Sequence, residues 1–232
     1  MTINNAYLKN SDCYKTNAEI APKGIMVHST ATPGVMAAAF IKRWNKPGVT
    51  VCPHVVIDNT GIYQLLPFTH RAWHCGRSGN DTHLSFEICE PQAKYNSSGT
   101  AFTSYDVQAN QAYFDKAYGL SVALCAYLCD LYNLLESTII SHAEGYQLGI
   151  ASNHADVGHW FPKHNKTMDD FRAAVKAYRA AVANANAQPT PTKYAVEIPG
   201  QTYNFKSMAE AQKLADALAA ISVTGIAEPK YK

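Results

Sequence analysis

The sequence predicts an α/β or α+β protein, because short apolar strands alternate with helices along most of its 232 residues. Segments 24–30 (GIMVHST) and 84–90 (LSFEICE) are predicted strands. Segment 107–135 is rich in Ala, Leu and Tyr and lacks proline, so we predict a long helix that an interruption near Gly119 could divide. Hydrophobic residues make up 47% of the chain, which is enough to bury a substantial core.

The other elements before residue 188 follow from the same periodicities. They are a polar, irregular segment at 1–23, a helix at 35–45, a hairpin of strands 49–58 and 61–67, a strand at 137–141, and a helix at 167–187. We expect Thr167 to be the N-cap of that last helix, since acidic residues follow in its first turn.

A short segment with two prolines (AQPTPT) divides the chain into two predicted parts. We expect a main domain at 1–187, a linker at 188–193, and a small α+β module at 194–232. The module's predicted elements are strands at 193–198, 202–205 and 225–231 and a helix at 207–221. About 40 residues rarely bury enough apolar surface alone, so the module should dock on the main domain or self-associate. A cell-wall-binding role and a structural or dimerisation role both remain open.

Composition excludes several classes of protein. The net charge of +2, without a dense run of Lys and Arg, argues against a nucleic-acid partner. The chain contains no run of 18 apolar residues, so no membrane span is predicted. Its N-terminus lacks the basic segment followed by an apolar segment that marks a secretory signal. We therefore expect synthesis in a cytoplasm, with delivery by another factor if the target lies outside. The six scattered cysteines are expected to be reduced and mostly buried.

The strand at 84–90 separates two glutamates by geometry. Leu84, Phe86 and Ile88 share one face of a strand, so Glu87 points away from that apolar face. Glu90 lies on the Leu84 side or beyond the strand end. Glu87 is therefore the candidate general base.

Three side chains that are far apart in sequence could bind one metal ion. His28 and His142 each come at the end of a predicted strand, and Asp156 lies in a long loop rich in Gly, Asn, His and aromatic residues. A hydrolytic zinc site needs three protein ligands and one open position, which two imidazoles and a carboxylate can supply. Taken alone, each histidine is better explained as a hydrogen-bonded structural residue, and the metal interpretation rests on the three residues together. The same loop offers three rival ligands: His154, His159 and His164.

Residues from about 5 to 180 resemble the zinc-dependent N-acetylmuramoyl-L-alanine amidases of the type-2, or peptidoglycan-recognition-protein-like, family, and among them phage endolysins. The matching motifs, in chain order, are VHSTAT, PHVVIDNTGIYQL, AWHCG, FEIC, SHAEG and ASNHADVGHWF. Each motif is weak alone, and their shared order makes the resemblance specific.

The resemblance implies a mixed central β-sheet flanked by helices, with zinc bound by His28, His142 and Asp156. It also implies that Glu87 activates water and that His154, at a position often occupied by lysine, stabilises the oxyanion. Asp156 is followed by Val-Gly where the family often has Pro-Gly, so His154 remains a rival third ligand.

The implied activity is hydrolysis of the amide between the lactyl group of N-acetylmuramic acid and the L-alanine of the stem peptide. The implied partner is bacterial peptidoglycan, reached by a phage lysin after its release from the host cytoplasm. Candidate groove residues are Trp73, His74, Trp160 and Phe161, because aromatic rings cover apolar faces of sugars and peptides. The tryptophans could instead be core residues, and His74 could support a metal ligand. A recognition protein without catalysis and a zinc peptidase acting within the stem remain alternatives.

Overall fold

The computed structural model describes residues 1–97, 102–187, 194–198, 201–205, 213 and 230–231. The chain forms two compact units, Met1–Ala180 and Ala181–Lys232. The boundary between the units falls inside the helix Met168–Ala187, seven residues before the predicted end of the main domain at residue 187. The predicted linker at 188–193 lies outside the described residues.

A six-stranded mixed sheet forms the centre of the first unit. Its strands are β1 (Ile3–Asn5), β2 (Gly24–Ser29), β3 (Val55–Asp58), β4 (Gly61–Gln64), β5 (His83–Ile88) and β8 (Ile139–Ser141), in the order β1-β4-β3-β5-β2-β8. The β3–β4 hairpin is antiparallel and the other neighbours are parallel. β6 (Lys94–Tyr95) and β7 (Phe102–Ser104) form a separate antiparallel pair. The predicted mixed sheet is confirmed.

In the described part of the chain, five α-helices accompany the strands, namely α1 (Asp12–Thr16), α2 (Ala37–Trp44), α3 (Val107–Tyr132), α4 (His142–Gln147) and α5 (Met168–Ala187). α3 runs through Gly119 without a break, so the possible interruption there is absent. One helical glycine costs only about 1 kcal/mol, and the buried residues that follow it in α3 offset that cost. Thr167 caps α5 as expected, since its hydroxyl accepts a hydrogen bond from the Asp170 amide at 3.1 Å.

The first 23 residues are more ordered than predicted. β1 pairs with β4 and forms one edge of the sheet, and α1 buries Cys13. A three-residue strand is too short to show a hydrophobic alternation in the sequence, although Ile3 packs against the core.

Strand alternation separates the two faces of the sheet. Val27 and Phe86 point into a core shared with α3 and α5. Val56 points into a second core that contains Phe40 and Trp44 of α2. Residues of β2 and β5 that alternate with the α3-facing positions are therefore free to build a site on the other face.

Beyond α5, the described residues of the second unit include a three-stranded antiparallel sheet. It consists of β9 (Tyr194–Ile198), β10 (Gln201–Phe205) and β11 (Lys230–Tyr231), in the order β10-β9-β11. The strands predicted at 193–198 and 202–205 are confirmed. The helix predicted at 207–221 lies outside the described residues, apart from a single position.

Two smaller expectations also have outcomes. All six cysteines are buried free thiols. Among the described residues, no helix has both the length and the apolar character needed to cross a bilayer.

Candidate metal centre

The paired strands β2 and β5 and the first residue of helix α4 carry His28, Glu87 and His142. β2 lies between β5 and β8, and His28 of β2 is the register partner of Glu87 in β5. His142 is the first residue of α4, directly after β8. Ser141 and Glu144 form a capping box that fixes the start of α4 and hence the direction of His142.

Asp156 completes a triangle of ligand atoms with the two histidines. The Nδ1 atoms of His28 and His142 are 3.0 Å apart, and Asp156 Oδ2 lies 3.1 Å and 3.4 Å from them. Bond lengths of about 2.0–2.2 Å in a tetrahedral zinc site place ligand atoms roughly 3.3 Å apart. The three residues therefore fit such an ion, since all of their ligand atoms lie within 4.8 Å of one another.

The pKa shifts of His28 and Asp156 both suit a bound cation. Burial lowers the pKa of His28, although the hydrogen bond and charge of Asp156 oppose that effect. Burial alone would raise the pKa of Asp156, but its polar contacts with the rings of His142 and His28 hold that pKa well below its usual value. A neutral imidazole beside an ionised carboxylate is the state that metal binding requires.

Each histidine ligand has a partner for its other ring nitrogen. His28 Nε2 lies 2.9 Å from His74 Nδ1, and His142 Nε2 lies 3.2 Å from Ser152 Oγ. Such contacts fix the tautomer and the ring direction, so that Nδ1 is left to face the metal. Burial, followed by the charge of His28, lowers the pKa of His74 well below its usual value. His74 is thus a neutral acceptor that supports His28.

Glu87 has no such partner. Its Oε2 is buried without a hydrogen-bond partner among the described residues. Burial raises the pKa of Glu87 well above its usual value, and the charges of Asp156 and Glu90 raise it further. The carboxyl group is therefore poised to bind a proton, which is the property of a general base tuned toward neutral pH.

The candidate ligands open onto a groove of about 290 Å³. It is lined by His28, Ser29, Thr30, Ala31, Thr32, Phe40, Arg43, Trp44, Val51, His74, Glu87, His142, His154 and Asp156. The contribution of α2 was not anticipated. The i, i+4 pair Phe40 and Trp44 on an amphipathic helix, directly after VHSTAT, is the signal that could have indicated it.

Two predicted groove residues lie elsewhere. Trp160 and Phe161 are each 1% exposed and belong to the core beneath α3, so the expectation that they line the groove is corrected. The Trp160 indole N–H donates to the Tyr105 hydroxyl at 2.9 Å, which satisfies its polar atom inside the core. Trp73 is half-buried and packs against the second core, in line with the structural alternative.

The rival histidines make other contacts. His154 Nδ1 lies 3.3 Å from Nε2 of His142, the nitrogen opposite the one that faces Asp156. His159 hydrogen-bonds to Glu90, and His164 to Tyr105. The geometry therefore favours Asp156 as the third ligand. Ser152, which links His142 to His154, was not predicted because a loop serine carries no distinctive pattern.

A mixed α/β sheet with a buried His-His-Asp triangle and an adjacent carboxyl group defines the class of metal-centred hydrolytic folds. Residues 18–159 match the family described as N-acetylmuramoyl-L-alanine amidase. That match covers more than half of the chain, and the chain belongs to this family.

Relatives of known sequence and structure agree with this assignment. The N-acetylmuramoyl-L-alanine amidases XlyA and CwlH of Bacillus subtilis (strain 168) are 40% identical over 76 residues and 31% identical over 96 residues. These matches cover 31% and 39% of this chain but only 26% and 38% of XlyA and CwlH. The chain thus spans well under two thirds of either relative.

Solved structures extend the similarity to most of the first unit. The catalytic domain of XlyA is 26% identical, with a TM-score of 0.54, and the match covers 75% of this chain and 99% of that domain. The Staphylococcus aureus hydrolase AmiA, solved with its ligand, has a TM-score of 0.62 at 17% identity. That match covers 79% of this chain and 86% of AmiA, and it establishes the fold alone.

Proposed function

We propose that this protein is a zinc-dependent peptidoglycan amidase that cleaves the bond between the lactyl group of N-acetylmuramic acid and L-alanine. The observation that carries the proposal is the buried triangle of His28, His142 and Asp156 with Glu87 on the neighbouring strand. Family membership and the named amidase relatives support the same reaction.

His28, His142 and Asp156 would hold zinc through these three ligand atoms. When bound, zinc polarises the scissile carbonyl and lowers the pKa of water, toward about 7 in favourable sites. His74 and Ser152 keep the two imidazoles directed at the ion.

Glu87 carries the proton through the reaction. Its unpartnered, buried oxygen accepts a proton from the attacking water, and the raised pKa makes that transfer favourable near neutral pH. The same group then delivers the proton to the amine of L-alanine as the C–N bond breaks. One carboxyl group thus acts first as base and then as acid.

His154 is proposed to stabilise the oxyanion. Its Nδ1 lies 3.1 Å from Ser152 Oγ, so the serine hydroxyl can donate to that nitrogen. The proton of the neutral ring then resides on Nε2, which can donate a hydrogen bond to the developing negative charge. The exposed position of His154 leaves it open to substrate.

Peptidoglycan is the proposed partner, and the groove between α2 and the metal ligands is its proposed binding surface. Phe40, Trp44 and Val51 provide apolar walls, and Arg43 adds a cation near the open end. Action on the cell wall after release from a host cytoplasm, as a phage lysin, remains part of the proposal. A cell-wall-binding or oligomerising role for residues 194–232 remains a prediction.

Digestion of purified peptidoglycan tests the reaction. Mass spectrometry should detect intact stem peptides beginning with L-alanine and glycan strands carrying free lactyl groups. A chelator should abolish their release, and added zinc should restore it. Fragments cut inside the stem would replace the amidase with a peptidase, and binding of wall fragments without any cleavage would favour a recognition protein.

A further inference from the structure

We propose that Glu90 is a positioning residue that holds the Asp156 loop in the geometry needed for metal binding. Glu90 does not line the groove and contacts no candidate metal ligand, although it contacts the backbone of Ala31, which lines the groove. Its carboxylate instead joins three segments that surround the site: the end of β2, strand β6, and the loop that carries Asp156. The inference concerns the same site as the proposed function and depends on it only for its consequence in catalysis.

The carboxylate is fully buried and both of its oxygens have partners. Oε1 lies 2.8 Å from His159 Nε2 and accepts from the Ala31 amide at 3.3 Å. Oε2 accepts a hydrogen bond from the Tyr95 hydroxyl. Glu90 is 0% exposed, and the His159 side chain is 6% exposed.

The partners of Glu90 lie close to the ligands in sequence. His159 follows Asp156 by three residues, and Ala31 follows His28 by three. One carboxylate therefore connects the loop of the third ligand to the strand end of the first. A rigid link of this kind limits the separation of the two ligand atoms.

The upstream half of the loop has other anchors. The Ser152 amide donates to the Cys75 carbonyl at 2.8 Å. Downstream of Asp156, Val157 is anchored by apolar packing, which is non-directional, and Trp160 adds a hydrogen bond from its indole N–H to the Tyr105 hydroxyl, four residues beyond Asp156. The His159–Glu90 contact is a directional polar restraint in that half, so its loss should loosen the backbone around Asp156.

Burial of a carboxylate is costly unless all its acceptor sites are used. A purely structural position in this core would be filled at least as well by an apolar side chain. A buried glutamate at this position can hold three segments around one site in fixed positions, which an apolar side chain cannot do. The sequence alone left Glu90 without a role, because its partners lie 5, 59 and 69 positions away.

The test compares Glu90→Ala with a matched change at His164. His164 is also buried, has two polar partners (Tyr105 and Gln111), and follows the same loop, but neither partner lies near a candidate ligand in sequence. Hydrogen exchange on the metal-free proteins should show about tenfold faster exchange for residues 152–160 in Glu90→Ala only. Zinc affinity, measured by competition with a chromophoric chelator, should fall about tenfold or more in that variant and stay within about twofold in His164→Ala.

Unchanged exchange around Asp156 in Glu90→Ala would overturn the proposal, as would equal effects from both variants. If Glu90→Ala does not fold, Tyr95→Phe removes, at nearly constant volume, a hydroxyl that contacts both Glu90 Oε2 and His159 Nε2, and it should give a smaller change in the same direction. Glu90→Gln, which keeps an acceptor for His159, should recover part of the effect. Failure of the wild-type protein to bind zinc would contradict the proposed function instead, while the exchange data would still decide the role of Glu90.

Discussion

His28 and Glu87 are direct register partners in the parallel strands β2 and β5, so their side chains leave the same face of the sheet. One side chain can ligate a metal, and the other can move a proton beside it. Regular backbone pairing fixes this relationship, which makes it less dependent on loop conformation than any other contact in the site. Separate substitutions should therefore separate metal binding from turnover.

Replacement of Glu87 by Gln should leave zinc affinity close to that of the wild type, because the ligand triangle does not include this side chain. Turnover should fall about 100-fold or more, the usual scale for loss of a general base. Release of stem peptides and zinc affinity are measured on the same preparation. Glu136→Gln, far from the groove, serves as the control. A rate near that of the wild type would remove Glu87 from the proposed mechanism.

Asp156 and His154 can be distinguished as third ligand by paired alanine substitutions. Asp156→Ala removes an atom of the triangle, so zinc affinity should fall by more than the roughly 10- to 100-fold typical of supporting contacts. His154→Ala should retain zinc within that smaller range and lose turnover instead. Equilibrium metal competition gives both values. The opposite pattern would assign the third ligand to His154.

The metal triangle should also couple zinc to folding. The Nδ1 atoms of His28 and His142 are 3.0 Å apart, and the Asp156 carboxylate lies beside them. When these ligand atoms carry no proton, their lone pairs repel one another, and a bound cation relieves that repulsion. Zinc at 100 times its dissociation constant should stabilise the folded state by about 2.7 kcal/mol. For a domain of this size that corresponds to a rise in Tm of about 5–10 °C.

Calorimetry with and without a chelator measures this shift in Tm. Asp156→Ala should reduce the shift strongly, because one corner of the triangle is lost. An equal shift in the variant would mean that zinc binds elsewhere on the protein.

Regular elements carried the predictions that succeeded. Period-two alternation fixed the direction of Glu87, and the end of a parallel strand fixed the location of His28. The loop at 148–160 has no period, so the sequence could not show that Trp160 turns into the core. Glu90 was equally hidden, because a buried carboxylate is recognised only from partners that the fold brings to it.

Acid should destabilise the protein through His54, which lies away from the ligand triangle. His54 is buried as a neutral ring: its Nδ1 accepts from the Ser85 amide at 3.0 Å, and its Nε2–H donates to the His70 carbonyl at 2.8 Å. Burial lowers the pKa of His54 from 6.5 to about 4. Between these values only the unfolded chain binds the proton, so stability is lost as pH falls, by about 3 kcal/mol at pH 4.

Urea unfolding across pH 4–7 measures how steeply the stability depends on pH. His54→Gln should be less stable at pH 7 but show a shallower slope, and the difference isolates His54 from the other buried histidines. Identical slopes in the two proteins would contradict this assignment.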